Sequence, residues 1–366
     1  MADSSTHSDA VTIAYAQNAS AVQPYKRMFY GAMESLGIHT VGIPQISNKW
    51  LTSNQDHVDA IHLHRPESLW RISLKARLGV PRAVVSLVLF VRQAHRQGKL
   101  IIWTVHNLAP HDGTAWVDRF NFRLLARNAD LLICHAETTR QDILRRWRPR
   151  CPVLMMPHGN FKGIYPSPRD RTQVLSELGL DPSRPMVCCV GGIRQYKGIE
   201  VAVEAIGKLA GQVQLVVAGG VHPAFDIASL AASVSSNRDV ALITRELSEQ
   251  EFSDIIGASE AVLLPYHHIT GSGAMMAALT LGRGVIASDL PYFHEFLAGD
   301  PFAGRLFSAA NPDHLACAIQ EFLSIPAQSR NAAAGRLAAQ YDWDRVVPPV
   351  AEAVTALVRS RRGRWA

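Results

Sequence analysis

The chain has 366 residues, 48% apolar and 19% charged, enough for two domains of ordinary size and too apolar for a disordered chain. A formal net charge of +6 and a pI near 9.2 favour anionic partners such as nucleotides, diphosphates, lipid headgroups or nucleic acid, without choosing among them. The five cysteines form no CxxC pair, which argues against a disulfide framework or a zinc site and for a reducing, cytoplasmic setting. The opening MADSSTHSDA lacks the apolar core of a signal peptide, and the longest apolar run, Ala83–Val91, broken by Ser86, is too short to span a bilayer.

In chain order, Val11–Ala16, Ala60–Leu63, Leu100–Val105, Leu131–Cys134 and Val153–Met156 read as short buried strands. Helical stretches such as Pro24–Leu36 and Pro81–Gln97 separate them, giving the alternation of a parallel α/β sheet. The pattern breaks over His158–Arg171, rich in Gly and Pro, where a linker is expected. A second series follows, with strands at Met186–Val190, Val213–Ala218, Val240–Ile243, Ala261–Leu264 and Gly284–Ala287. Its helices are expected at Ile199–Leu209, Ala224–Val234, Ser248–Gly257, Gly273–Leu281 and Pro312–Leu323, with a last helix over Val346–Arg361. The expectation is two Rossmann-like domains facing across a cleft, residues 1–165 and residues 166–345, followed by the C-terminal helix 346–366, with ligands beyond the carboxyl ends of the strands.

Chemistry concentrates in the loops after strands. VGGIRQYKG, ending at Gly198, follows the Met186–Val190 strand; Gly191 and Gly192 allow close backbone approach, while Arg194 and Lys197 can bind phosphate oxygens beside a helix N-terminus. It is neither a Walker loop nor a GxGxxG, and its plain alternative is a turn with two solvated cations. PYHHITGSGAMMAALTLGRG (Pro265–Gly284) places Thr270, Gly271, Ser272 and Gly273 before a small-residue helix, a second anion cradle or an ordinary cap at Ser272. The AGG at Ala218–Gly220, containing Gly219, and TRELSEQE, with Arg245, Glu246 and Leu247, could line a base and ribose pocket, although a Ser248/Glu251 capping box also explains the latter.

In the first half, IHLHRPE and WTVHNLAPHD bring His62, His64, Glu67, His106, His111 and Asp112 to neighbouring strand ends; a metal site of two histidines and a carboxylate is conceivable, but no zinc spacing is present. The segment Ser73–Lys99 has basic ends and a dense apolar middle, within which Pro81–Gln97 reads as a buried helix. Lys75, Arg77, Arg82, Arg92, His95 and Arg96, like the tail RSRRGR, could rest on an anionic membrane face.

DAIHLHRPE, WTVHNLAPHD, VGGIRQYKGIEV and LLPYHHITGSGAMMAALTLGRGVIAS resemble the two-domain GT-B-fold glycosyltransferases, in particular the bacterial exopolysaccharide enzymes of the xanthan β-mannosyltransferase type, glycosyltransferase family 94. The resemblance runs from about Val11 to Trp343 and implies a last helix that crosses back to the N-terminal domain. It implies a nucleotide-diphosphate sugar donor, GDP-mannose or UDP-glucose or UDP-glucuronate, on the C-terminal half. The diphosphate would lie on Gly192, Arg194, Lys197, Ser272 and Gly273, the nucleotide near Gly219, Arg245, Glu246 and Leu247, and the sugar at His106, Thr270 and Gly271. A saccharide or polyprenyl-diphosphate-linked acceptor would occupy the N-terminal half. Retaining relatives carry two glutamates eight apart where this chain has Ile269 and Ala277, so the chain departs from the retaining pattern and is similar to the inverting, β-forming kind.

An inverting transfer needs a base on the acceptor hydroxyl and stabilisation of the departing diphosphate. Asp112, then Glu67 and His111, are the base candidates, and the absence of a DxD at any strand end suggests no metal cofactor. The rivals are a retaining glycosyltransferase, a nucleotide-sugar epimerase or phosphorylase on the same frame, and a non-catalytic membrane-surface or nucleic-acid protein. Against nucleic acid stands the lack of a compact Lys/Arg stripe with interleaved aromatics. The expected location is the cytoplasm, with peripheral contact at the inner membrane face.

Overall fold

The computed structural model describes residues 10–17, 24–53, 58–74, 79–108, 115–235, 237–297 and 299–363. The chain divides into two compact units, residues 1–157 with 343–366, and residues 158–342.

The first unit contains β1 (Val11–Ala16), α1 (Pro24–Ser35), β2 (Ile38–Ile43), α2 (Asn48–Ser53), β3 (Ala60–Leu63), α3 (Ser68–Leu74), α4 (Gly79–Arg96), β4 (Leu100–Thr104), α5 (Ala115–Asn128), β5 (Leu131–Cys134), α6 (Glu137–Trp147) and β6 (Val153–Met155). Its six strands are all parallel, in the order β2-β1-β3-β4-β5-β6. A parallel sheet covered on both faces needs continuous apolar strands, and β3, β4 and β5 are buried at every residue. The sequence reading missed β2, which lies at the sheet edge; its residues 39–42 are exposed or half-buried, so no apolar run marks it.

The second unit contains α7 (Arg171–Glu177), β7 (Met186–Val190), α8 (Ile199–Lys208), β8 (Gln214–Ala218), α9 (Ile227–Val234), β9 (Val240–Ile243), α10 (Glu249–Ala258), β10 (Ala261–Leu264), α11 (Gly273–Thr280), β11 (Gly284–Ser288), α12 (Pro291–Leu297), β12 (Gly304–Phe307), α13 (Pro312–Ser324) and α14 (Ala327–Ala339). Residues 158–170 carry no helix or strand and lead into α7. The sheet is again six parallel strands, in the order β12-β11-β10-β7-β8-β9. Its unexpected strand, β12, is also an edge strand with a half-buried middle.

The final helices, α15 (Trp343–Val346) and α16 (Pro348–Arg362), belong to the first unit. Trp343 packs edge-on against Tyr25 at 5.4 Å, and Val350, Val354 and Val358 form the buried face of α16. Arg361 pairs with Asp130 at 2.5 Å and Arg362 with Asp59 at 2.9 Å, so these two arginines of the basic tail serve the fold; Arg364 lies outside the described residues. His95, expected at a membrane-facing margin, is likewise 3.1 Å from Asp130. The α4 helix is not buried all round: Ala83, Leu87, Phe90 and Ala94 enter the core, but Val85 and Leu89 face outward.

Candidate active site

The second sheet grows in both directions from the adjacent strands β7 and β10, so the loops leaving their carboxyl ends flank the topological switch point where α/β sheets bind ligands. After β7 the chain is extended at Arg194, makes one 3-10 turn over Gln195–Lys197, and enters α8 through Gly198. After β10 it runs through Pro265 to Ser272, whose hydroxyl accepts from the Met275 N–H at 3.1 Å and caps α11. The two loops are clasped. The His267 N–H donates to the Tyr196 carbonyl at 2.8 Å, and Gly198, at φ 58°, sits so close to the Pro265 carbonyl that any Cβ would overlap it. Only glycine meets both demands.

This clasp brings Lys197 to the recess between β7 and β10, lined by Gly191, Lys197, Ile199, Pro265 and Tyr266, while the Arg194 side chain lies against Gly192 on the same loop. Among the described residues no carboxylate pairs with Arg194 or Lys197. The Lys197 ammonium donates to the Val190 carbonyl at 3.4 Å and lies 5.7 Å from the Tyr266 ring centroid, a cation–π distance. Burial, reinforced by the Arg194 charge, brings its pKa down to about 8. A cation taken partly out of water and left without a counter-ion is poised to accept an anion.

The α11 cradle is more constrained than its sequence suggests. The Ser272 N–H donates to the buried Tyr292 hydroxyl at 3.1 Å, and the Ser272 side chain also bonds to the Tyr266 hydroxyl. Among the described residues the unpartnered amides that open α11 are therefore those of Gly273 and Ala274, whereas the sequence had suggested Ser272 and Gly273. Thr270 and Gly271 are half-buried on the approach. No carboxylate stands on α11; Ala277 is buried and Ile269 half-buried. Tyr266 and Tyr292 escaped sequence reading: Tyr266 is flagged only by following a strand, and nothing local marks Tyr292.

The nucleotide candidates step along the adjacent strand ends. Gly219, at φ 154°, has the Gly191 carbonyl oxygen 2.5 Å from where a Cβ would stand, and its N–H donates to Ile243 at 3.0 Å. The Glu246 side chain lies against Gly220, and Leu247 is half-buried. Arg245 forms a two-pronged pair with Glu251 at 2.6 and 3.1 Å. Glu251 also closes the capping box on Ser248, and Arg245 and Ser248 together bring its carboxyl down to about 2. In this state Arg245 and Glu251 stabilise the start of α10.

In the first unit, a hydrogen-bonded chain crosses the sheet end. His62 Nε2 meets the Thr104 hydroxyl at 2.8 Å and its Nδ1 meets the Tyr30 hydroxyl at 2.9 Å; that hydroxyl meets His64 Nε2 at 2.8 Å, and His64 Nδ1 meets His106 Nε2 at 3.0 Å. Burial drives His62 down to about 3 and His64 well below its ordinary value, so both are neutral. Each neutral ring has one N–H, so the chain must point one way throughout, and its polarity sets which nitrogen of His106 carries hydrogen. His135, at the end of β5, completes a row with His64 and His106; its ring lies 5.2 Å from that of His106 and burial lowers its pKa to about 4. The sequence signal for it was its place just after LLIC. Two of the expected histidines are thus core members satisfied by Tyr30 and Thr104, and among the described residues no group of three His, Cys, Asp or Glu side chains is arranged to hold a metal ion.

Glu67, at the start of α3, is half-buried, and burial raises its carboxyl pKa above the usual range, the direction a general base requires. His111 and Asp112 lie outside the described residues.

Residues 184–324 match the family described as Glycosyl transferases group 1. A GDP-mannose:glycolipid 4-beta-D-mannosyltransferase of Xanthomonas campestris pv. campestris is 26% identical over 233 residues, 63% of this chain and 61% of the relative. An alpha-maltose-1-phosphate synthase of Mycobacterium tuberculosis is 29% identical over 258 residues, 67% of this chain and 63% of the relative. The matched part thus spans under two thirds of these relatives' lengths. Among solved structures, a sucrose-phosphate synthase from Thermosynechococcus elongatus superposes with a TM-score of 0.72 at 19% identity, covering 96% of this chain and 100% of that one. Anabaena HepE in complex with UDP superposes at 0.68 and 14% identity, covering 94% and 100%. The second unit of this chain is a Glycosyl transferases group 1 domain, and the whole is built on the GT-B fold.

Proposed function

We propose that the protein is a glycosyltransferase that moves a hexosyl group from a nucleoside-diphosphate sugar to a saccharide or lipid-linked oligosaccharide acceptor, with inversion at the anomeric carbon. The observation that carries this is Lys197 in the recess at the switch point between β7 and β10, with Arg194 beside Gly192 on the same loop and, among the described residues, no carboxylate partner for either; the loop leading to the open amides of Gly273 and Ala274 also begins there. Such a group of donors fits a diphosphate leaving group and stabilises its charge as the glycosidic C–O bond breaks, without requiring a metal ion.

The absence of an acid at positions 269 and 277 supports inversion, since nothing there can stabilise charge on the retained face of the sugar. The acceptor hydroxyl attacks the anomeric carbon, a base takes its proton, and the nucleoside diphosphate departs. Glu67 and Asp112 are the base candidates, with His111 behind them, and His106 is the candidate contact to the sugar. GDP-mannose leads the donors because of the mannosyltransferase relative, with UDP-glucose or UDP-glucuronate next. Assembly of an exopolysaccharide in the cytoplasm goes with this reading.

The test is incubation with GDP-mannose, UDP-glucose or UDP-glucuronate and an oligosaccharide acceptor, following nucleoside diphosphate release and the product's anomeric configuration by NMR. Acceptor-dependent release and a β-linked product are expected from an α-linked donor. Relatives with both beta- and alpha- in their names make the anomer decisive: an α product would establish the retaining alternative, and no release from any donor would overturn the proposal.

A further inference from the structure

The outer faces of α4 and α5 have no role in the site above. The two helices pack against each other and send Leu87, Phe90, Phe122 and Leu125 into one core, so their opposite faces look outward together. Along α4, besides Pro81 in its first turn, the exposed residues are Arg82, Val85, Leu89, Arg92 and Arg96, spaced by three or four so that they form one stripe. Along α5 they are Trp116, Arg119, Phe120, Arg123 and Arg127, a second stripe.

Four large apolar side chains are left in water: Val85 at 53%, Leu89 at 54%, Trp116 at 65% and Phe120 at 51% exposure. Six exposed arginines surround them, and neither helix shows an exposed carboxylate: α4 contains none, and the single acid of α5, Asp118, is fully buried and bonded to Trp70 Nε1 at 2.6 Å.

We infer that this two-helix face docks on an anionic phospholipid bilayer, with Val85, Leu89, Trp116 and Phe120 entering the headgroup–acyl boundary and the arginines contacting lipid phosphates. Aromatic and aliphatic groups ringed by cations suit an interface that is apolar below and negatively charged above. A nucleic-acid backbone would satisfy the arginines but leave Val85 and Leu89 unused. A second copy of this face would bring six arginines against six. The α5 stripe was absent from the sequence expectation, which placed membrane contact at the margins of α4 and at the C-terminal tail. This proposal rests on the two helix faces and not on the donor site, so it stands or falls separately from the activity.

The experiment is co-sedimentation of the full chain with vesicles of phosphatidylcholine alone or with 30% phosphatidylglycerol. Binding is expected to the anionic vesicles and to be weakened by salt. The R92Q/R119Q/R123Q variant should bind about a hundredfold more weakly, roughly fivefold per arginine. The L89S/F120S variant should bind at least tenfold more weakly, with circular dichroism and nucleotide-induced thermal shift unchanged because these side chains are outside the core. Equal binding to neutral vesicles, no vesicle binding, or unchanged binding in both variants would overturn the proposal. So would dimerisation or nucleic-acid binding that depends on these residues while vesicles are ignored.

Discussion

The backbone N–H of Ser272 donates to the hydroxyl of Tyr292 at 3.1 Å, fixing the start of α11 to the start of α12. Because both residues are buried, the bond has no ready substitute in water. Tyr292→Phe leaves that N–H unsatisfied and is expected to lower stability by about 1–3 kcal/mol in chemical denaturation. It should also weaken nucleoside-diphosphate binding several-fold as the α11 amides lose their alignment. An unchanged midpoint would show that the hydroxyl holds nothing.

Lys197 gives the donor site a pH signature. Its folded pKa, lowered to about 8 by burial, means that it is charged below that pH and neutral above it. Diphosphate binding needs the charged form, so affinity should be flat below pH 7.5 and fall from pH 8 upward, approaching tenfold per unit. Lys197→Arg should remove the slope, since arginine stays charged throughout. Titration calorimetry of the same nucleotide on both proteins checks this, and parallel pH profiles would contradict it.

The buried histidines make the first unit sensitive to acid. His62, at about 3, and His135, at about 4, lie below the ordinary value of 6.5, and His64 lies well below it. Between those values and 6.5 the unfolded chain binds protons that the native chain refuses, so their contribution is complete above pH 6.5 and is lost as pH falls toward the folded values. Each histidine then removes about 1.4 kcal/mol per pH unit. Denaturation midpoints from pH 7 to 5 should fall steeply, and His62→Gln should lessen the slope by one proton.

The base can be identified by separating binding from turnover. Glu67→Gln and Asp112→Asn should each leave nucleotide affinity within about twofold of wild type, and the one that removes the base should lower kcat by 10²–10⁴. The raised carboxyl pKa of Glu67 also predicts that the acidic limb of the rate profile moves if Glu67 is that base. Full activity in both variants would remove these two carboxylates from the mechanism.

What could be read in the sequence followed burial. Strands covered on both faces, such as Met186–Val190 and Leu131–Cys134, are unbroken apolar runs and were legible; the edge strands β2 and β12 are diluted by solvent-facing residues and were not. The cations of the site were legible because Arg194 and Lys197 stand beside glycines just after a strand. Tyr292 was not, because it reaches Ser272 from twenty residues away. The histidines show the opposite difficulty: His62 and His64 looked reactive in IHLHRPE, yet their partner Tyr30 comes from another element and makes them buried, neutral members of a chain that ends at His106. Likewise, the apolar run of α4 concealed Val85 and Leu89, whose outward positions follow from helical spacing only once the core face is known.

The most direct test of the central claim is isothermal titration of GDP and UDP into the wild-type protein and into an Arg194→Gln/Lys197→Gln double variant. Micromolar binding of at least one nucleotide, weakened a hundredfold or more in the double variant while its melting temperature is preserved, is the predicted result. Equal affinity in the two proteins, or no binding of either nucleotide to the wild type, would contradict it.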